Sequence, residues 1–173
     1  MLARVAGSIM VFTACAVLGL YYSLREGFRI ADLTEMKKAL LLLKGEIDFT
    51  HSPLPEAMAH VSIRLQPKFT ELFAQAGENM GMDHMMNASQ AWKTALAAAH
   101  SGFHFNGEDM HSLNRLGETL GYLGKSTQAE GIDMTVLYID SQIERLRESE
   151  ARNQRLYRSA GIIFGLLIII VLI

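Results

Sequence analysis

Gly124-Lys125-Ser126-Thr127 ends like a phosphate-binding loop, in which glycine amides cradle a nucleotide's phosphates and a lysine reaches them. The full pattern G-x-x-x-x-G-K-[ST] needs glycine where Thr119 stands and a strand ahead of it, whereas this stretch is amphipathic and helical in period. The four residues read as a helix stop followed by a cap at Ser126. His100, His104 and His111 have spacings of four and seven that could converge on zinc. Gly102 and Asn106-Gly107 interrupt the helix that would carry them, and no thiolate or carboxylate completes the set, so they read as surface histidines. Glu108, Asp109 and Glu118 could be carboxylates for acid–base work, but acids near a helix start answer the helix dipole, and a solvated helix face is the expectation. There is no G-x-S-x-G nucleophile elbow. The single cysteine, Cys15, excludes an internal disulfide and a repeated-thiol metal site. The expectation is a protein that is not an enzyme, with no cofactor and no metal.

The elements around these residues follow from composition. Half of the 173 residues are hydrophobic and 20% are charged, too apolar for disorder and short for an elaborate enzyme. With 16 basic and 18 acidic residues, neither sign dominates enough to wrap nucleic acid. Ten methionines and only three prolines, with few β-branched runs outside the ends, point to helices.

The apolar residues gather at the termini. Val5–Leu24 carries no formal charge, and a helix of that length covers the hydrocarbon layer of about 30 Å. A cleaved signal or lipoprotein signal around Ala14-Cys15-Ala16 is the weaker reading, because the apolar run continues to Leu24. Ala160–Ile173 is wholly apolar and forms a second, slightly short span if Leu156 and Tyr157 enter the interface and Arg158 snorkels. Arg25, Arg29, Lys37 and Lys38 follow the first span, and Arg145, Arg147, Arg152, Arg155 and Arg158 precede the second. By the positive-inside rule the central region is cytoplasmic and both termini lie outside. The expected organisation is a transmembrane helix over 1–24, an all-α cytoplasmic bundle of about six helices over 25–158, and a transmembrane helix over 159–173.

Within the centre, Ile30, Leu33, Met36, Leu40, Leu43 and Ile47 recur at helical spacing, with Lys37, Lys38 and Lys44 mostly off that stripe. Ser52-Pro53-Leu54-Pro55-Glu56 opens a helix expected to reach Leu65, and Pro67 opens another ending near Gly81. Further helices are predicted over 87–100, over 108–123 with Gly124 as stop, and from Ser126 into the second span.

The order and spacing of several pieces carry a resemblance. Leu24-Arg25 beside the first span, Ser52-Pro53-Leu54-Pro55-Glu56-Ala57-Met58, Leu116-Gly117 with Leu120-Gly121, Gln128, and Asn153-x-x-x-Tyr157-Arg158-x-x-Gly161 together resemble the stage III sporulation protein AB family along essentially the whole chain. That family is similar to the platform protein F of type II secretion and type IV pilus systems, in which a Pro-Leu-x-x-Ala-Leu helix precedes a Gly-Glu-x-x-Gly turn. Pro53–Met58 and Gly77-Glu78-Asn79-Met80-Gly81 fit, with Met58 in place of leucine; the residue after Ser126, Thr127, departs from an expected acid. The resemblance implies a membrane platform in the mother-cell membrane around the forespore. Its implied partners are a cytoplasmic secretion-type ATPase, stage III sporulation protein AA, and other membrane proteins of the stage III sporulation A operon, and it is compatible with a homo-oligomer.

A platform needs a polar surface that its own core does not use. Glu78 and Asn79, projecting from a helix end whose glycines permit a tight reversal, are one candidate partner-binding surface, and the basic face of Lys37, Lys38 and Lys44 is another. A competing reading is an independent membrane-anchored sensor or peptide-binding module gripping its ligand through Met80, Met82, Met85 and Met86.

Overall fold

A computed structural model describes residues 25–50, 52–82, 87–121 and 124–172, with side-chain detail ending at residue 149. The described residues form helices joined by short turns and loops, with no strand among them. In chain order they form α1 (25–45) with a π-helical turn at Glu46–Thr50, α2 (Leu54–Ser62), α3 (Pro67–Met82), α4 (Ala88–Ala99) with a 3-10 turn at His100–Gly102, α5 (Gly107–Leu120) and α6 (Lys125–Leu172). The sequence periodicity predicts this set of six. The span expected over Val5–Leu24 lies outside the described residues. The segment expected as the second span falls in the distal part of α6, beyond the side-chain detail. Among the described residues no helix is long and apolar enough to cross a membrane.

Phe28–Ser141 forms one compact unit; Gln142 onward belongs to a second, in which α6 continues. Within the first unit each amphipathic stripe faces inward. Leu33, Met36, Leu40, Leu43 and Ile47 of α1, Met58 and Val61 of α2, and Phe69, Leu72 and Phe73 of α3 are buried. So are Trp92 and Leu96 of α4, Leu113, Leu116 and Leu120 of α5, and Ile132, Val136 and Ile139 of α6. Burying a large apolar side chain stabilises by roughly 1.5–3 kcal/mol, so these stripes dominate the favourable side of folding. Helices α2 to α5 pack on one another in succession.

Gly117 and Gly131 set how closely α5 approaches its neighbours. A Cβ on Gly117 of α5 would stand 2.6 Å from Cδ1 of Trp92, whose ring is fully buried and fixed by its Nε1–H donating to the Leu113 carbonyl at 2.8 Å. A Cβ on Gly131 would overlap Thr119, so α6 lies directly against α5 there. Both positions lie within long helices, where glycine costs about 1 kcal/mol of propensity and is kept for contact.

Several helix ends differ from expectation. Helix α2 stops at Ser62 rather than near Leu65: the chain tightens into turns there, with the Arg64 N–H on the Val61 carbonyl at 3.0 Å and the Leu65 N–H on the Ser62 carbonyl at 3.2 Å. Asn87 caps α4, its side chain accepting from the Gln90 N–H at 2.8 Å. Helix α5 ends at Leu120, not at Leu123 with Gly124 as stop; Gly121 is its C-cap in ordinary right-handed geometry, and Gln128 donates to the Leu120 carbonyl at 3.2 Å. Ser126 is not a cap: α6 begins one residue earlier at Lys125, with the Gln128 N–H on the Gly124 carbonyl at 3.2 Å. Gly77–Gly81 is not a reversal either. It forms the last turns of α3, where a Cβ on Gly77 would meet the Pro55 carbonyl at 3.0 Å and Met58 Cβ at 3.1 Å, so Gly77 serves close packing of α3 on α2.

Candidate functional site

The first polar feature of the bundle is a carboxylate buried among three elements. Asn106 and Asp109 form a capping box at the start of α5: the Asp109 N–H donates to Asn106 Oδ1 at 2.8 Å and the Asn106 N–H to Asp109 Oδ2 at 2.9 Å. The same carboxylate receives Arg29 of α1 as a fork, Nε to Oδ2 at 2.7 Å and Nη2 to Oδ1 at 2.9 Å. The hydroxyl of Tyr138 on α6 donates to Oδ1 at 3.0 Å. Asp109 is only 1% exposed, so the expected solvated helix face is corrected at this residue: the acid answers a helix start and also ties α1, α5 and α6 together. The bond to Asp109 holds the Arg29 guanidinium above its ordinary value, against the opposing effect of burial. Burial first, and then the bond to Asp109, push the Tyr138 phenol well up.

This direction fixes a pH dependence. A phenol raised in the fold favours its neutral form there, so its contribution is complete below the unfolded value near pH 10 and is lost as pH rises above it. In urea titrations, wild-type stability is expected to fall more steeply above about pH 10 than that of Tyr138→Phe, which lacks the group. Parallel curves would contradict the assignment.

A second cluster fixes the connector between α4 and α5. Asp32 of α1, 3% exposed, accepts from the His104 N–H at 2.8 Å, lies 3.1 Å from His104 Nδ1, and is paired with Lys68 of α3. Lys68 Nζ stands 5.3 Å from the centre of the Phe103 ring, which stacks on Phe105 at 5.0 Å, while Phe28 stacks on the His104 ring at 5.1 Å. Glu35 extends the series by accepting from the Gln66 N–H at 3.1 Å at the start of α3. His104 is thus a tether for the connector, while His100 opens a 3-10 turn and His111 lies exposed on α5.

The lysines named from sequence are engaged within the bundle. Lys37 pairs with Asp140 at 2.6 Å and Lys44 with Asp133 at 2.5 Å, two antiparallel links from α1 to α6. Lys38 reaches Glu35 at 3.1 Å and the Arg64 carbonyl at 3.1 Å. All four partners of the two α6 pairs are partly exposed, so each pair adds only about 0–1 kcal/mol and chiefly sets register. Glu78 is exposed on α3 and makes no ion pair among the described residues; Asn79 beside it is half-buried. Met80 is half-buried, and Met85 and Met86 lie outside the described residues.

Between antiparallel α5 and α6 runs an open groove of about 590 Å³, bounded by Glu108, His111 and Arg115 on one side and by Met134 and Tyr138 on the other. Nothing in the apolar periodicity marks this groove. The signal was available in Met134 and Leu137, which fall outside the inward stripe of α6 and are 71% and 69% exposed.

The described residues define an all-helical bundle whose deepest charges are engaged in holding its helices together. A sequence model of the stage III sporulation protein AB family matches residues 4–173, and this chain belongs to that family. It is 23% identical over 171 residues to stage III sporulation protein AB of Bacillus subtilis (strain 168), covering 98% of both chains. A solved structure of a stage III sporulation protein AB superposes with a TM-score of 0.65 at 21% identity, over 72% of this chain and 98% of the other. That likeness concerns the fold.

Proposed function

We propose that this protein acts in sporulation as a non-enzymatic membrane platform that seats a secretion-type ATPase, stage III sporulation protein AA, on its cytoplasmic bundle. Two spans, over 1–24 and 159–173, hold it in the mother-cell membrane around the forespore, beside other membrane proteins of the stage III sporulation A operon. The central domain, 25–158, faces the cytoplasm and both termini lie outside. Membership of the stage III sporulation protein AB family, and the likeness to the Bacillus subtilis relative, support the sporulation role. The observation that carries the platform reading is the use made of the buried charges. Arg29, Asp32 and Asp109 link α1 to α3, α5, α6 and the connector, which makes the bundle a stiff body able to pass a displacement from one face to another. Glu78 and Asn79 supply a polar rim on α3, and Lys37, Lys38 and Lys44 a flank whose charges are already paired.

Orientation is tested by cysteine accessibility. On a Cys15→Ser background, single cysteines at Ser101 and Ser126, both exposed on the bundle, are expected to resist membrane-impermeant reagents in intact cells and to react after permeabilisation. Labelling in intact cells would overturn the cytoplasmic placement and the ATPase partnership with it.

A further inference from the structure

We infer that the groove between α5 and α6 is a docking surface for one amphipathic helix of the partner ATPase, a helix bearing an acid and a base seven residues apart with apolar residues between them. The inference rests on the platform reading and adds to it the site and the chemistry of the contact.

Glu108 and Arg115 lie on the same face of α5, two turns or about 10 Å apart, with His111 between them. All three are exposed, and none has an ion-pair partner among the described residues. This distinguishes them from Lys37, Lys44 and Glu118, whose charges meet Asp140, Asp133 and Lys93 within the bundle. Opposite this wall, Met134 is 71% exposed, and Leu137 continues the apolar surface outward along α6 at 69%. The floor includes Leu116, so an apolar side chain entering between the helices meets carbon rather than water.

A channel between two antiparallel helices is the natural seat of a third, which lays side chains at i, i+3 or i+4, and i+7 into it. The fixed charges then dictate the occupant. A carboxylate must face Arg115 and a cation must face Glu108, and the same two-turn spacing must separate them on the incoming helix. A uniformly acidic or uniformly basic segment would meet a like charge at one end. A bilayer surface supplies anionic headgroups for Arg115 and His111 but nothing for Glu108.

The test measures binding of the purified ATPase to the full chain in lipid nanodiscs, for the parent, Arg115→Glu and Met134→Asp. Both changed residues are exposed, so melting temperatures should stay near that of the parent. Each variant is expected to bind on the order of tenfold more weakly, and only Arg115→Glu should also change the dependence on salt. Parent-like binding by both variants overturns the groove and leaves the platform reading intact. A change in the number of chains per disc, with ATPase affinity unchanged, would assign the groove to a second copy and overturn the proposed occupant. If the parent itself fails to bind the ATPase, both readings fall.

Discussion

Asp109→Ala is expected to destabilise the bundle by about 3–5 kcal/mol, because it removes the buried carboxylate to which both the Arg29 guanidinium and the Tyr138 hydroxyl donate. Exposure decides the scale: the Asp109 side chain is 1% accessible and that of Arg29 15%, so water cannot replace the lost carboxylate freely. The loss also removes the capping box of α5, worth about 1 kcal/mol in ordinary settings. The single tryptophan, Trp92, reports unfolding by its fluorescence from the fully buried interior. A double change of Arg29→Met with Asp109→Leu should recover much of the loss, since an apolar pair avoids the desolvation cost. If Asp109→Ala shifted the denaturation midpoint no more than a surface change, the cluster would not tether α1, α5 and α6.

Leu116→Asp should abolish the folded bundle altogether. Leu116 is 1% exposed on the inward face of α5, next to Gly117, whose contact with Trp92 leaves no slack for rearrangement. Truncating a core leucine to alanine already costs about 2–5 kcal/mol. An unpaired carboxylate adds a desolvation cost of several kcal/mol more, even after its pKa rises to neutralise it. The sum is comparable to the roughly 5–15 kcal/mol that keeps a typical domain folded. Leu116→Ala should therefore melt cooperatively at a lower temperature, whereas Leu116→Asp should show the exposed Trp92 emission without a transition. A Leu116→Asp variant that melted like the parent would remove α5 from the core.

The helices were legible because burial imposes its period on the sequence. Met36, Leu40, Leu43 and Ile47 could face one another's partners only if wound at 3.6 residues per turn, and the same holds for Leu113, Leu116 and Leu120. Helix ends were less legible, since Gly121 and Gly124 offer similar stop signals and the choice rests on Gln128 reaching back to the Leu120 carbonyl. Asp109 was misread for a more general reason. Its partner Arg29 is 80 positions away, and spacing along one helix carries no trace of such a pair. The local half of the feature was readable, however: Asn106-x-x-Asp109 is a capping box. The links from α1 to α6 also left a signature. Lys37 and Lys44 are separated by seven residues, as are Asp133 and Asp140, a matched spacing of opposite charge that fits two antiparallel helices. The groove on α5 and α6 had the weakest signal, because exposed methionine and leucine look like core residues until the inward stripe has been fixed.

The platform claim is most directly tested by mixing the full chain in lipid nanodiscs with the purified secretion-type ATPase and following association at low and high salt. Reversible, salt-sensitive binding is expected, which Glu78→Lys weakens, mostly through slower association, at an unchanged melting temperature, as befits an exposed rim charge. Absence of binding by the folded parent chain at every salt concentration would contradict it.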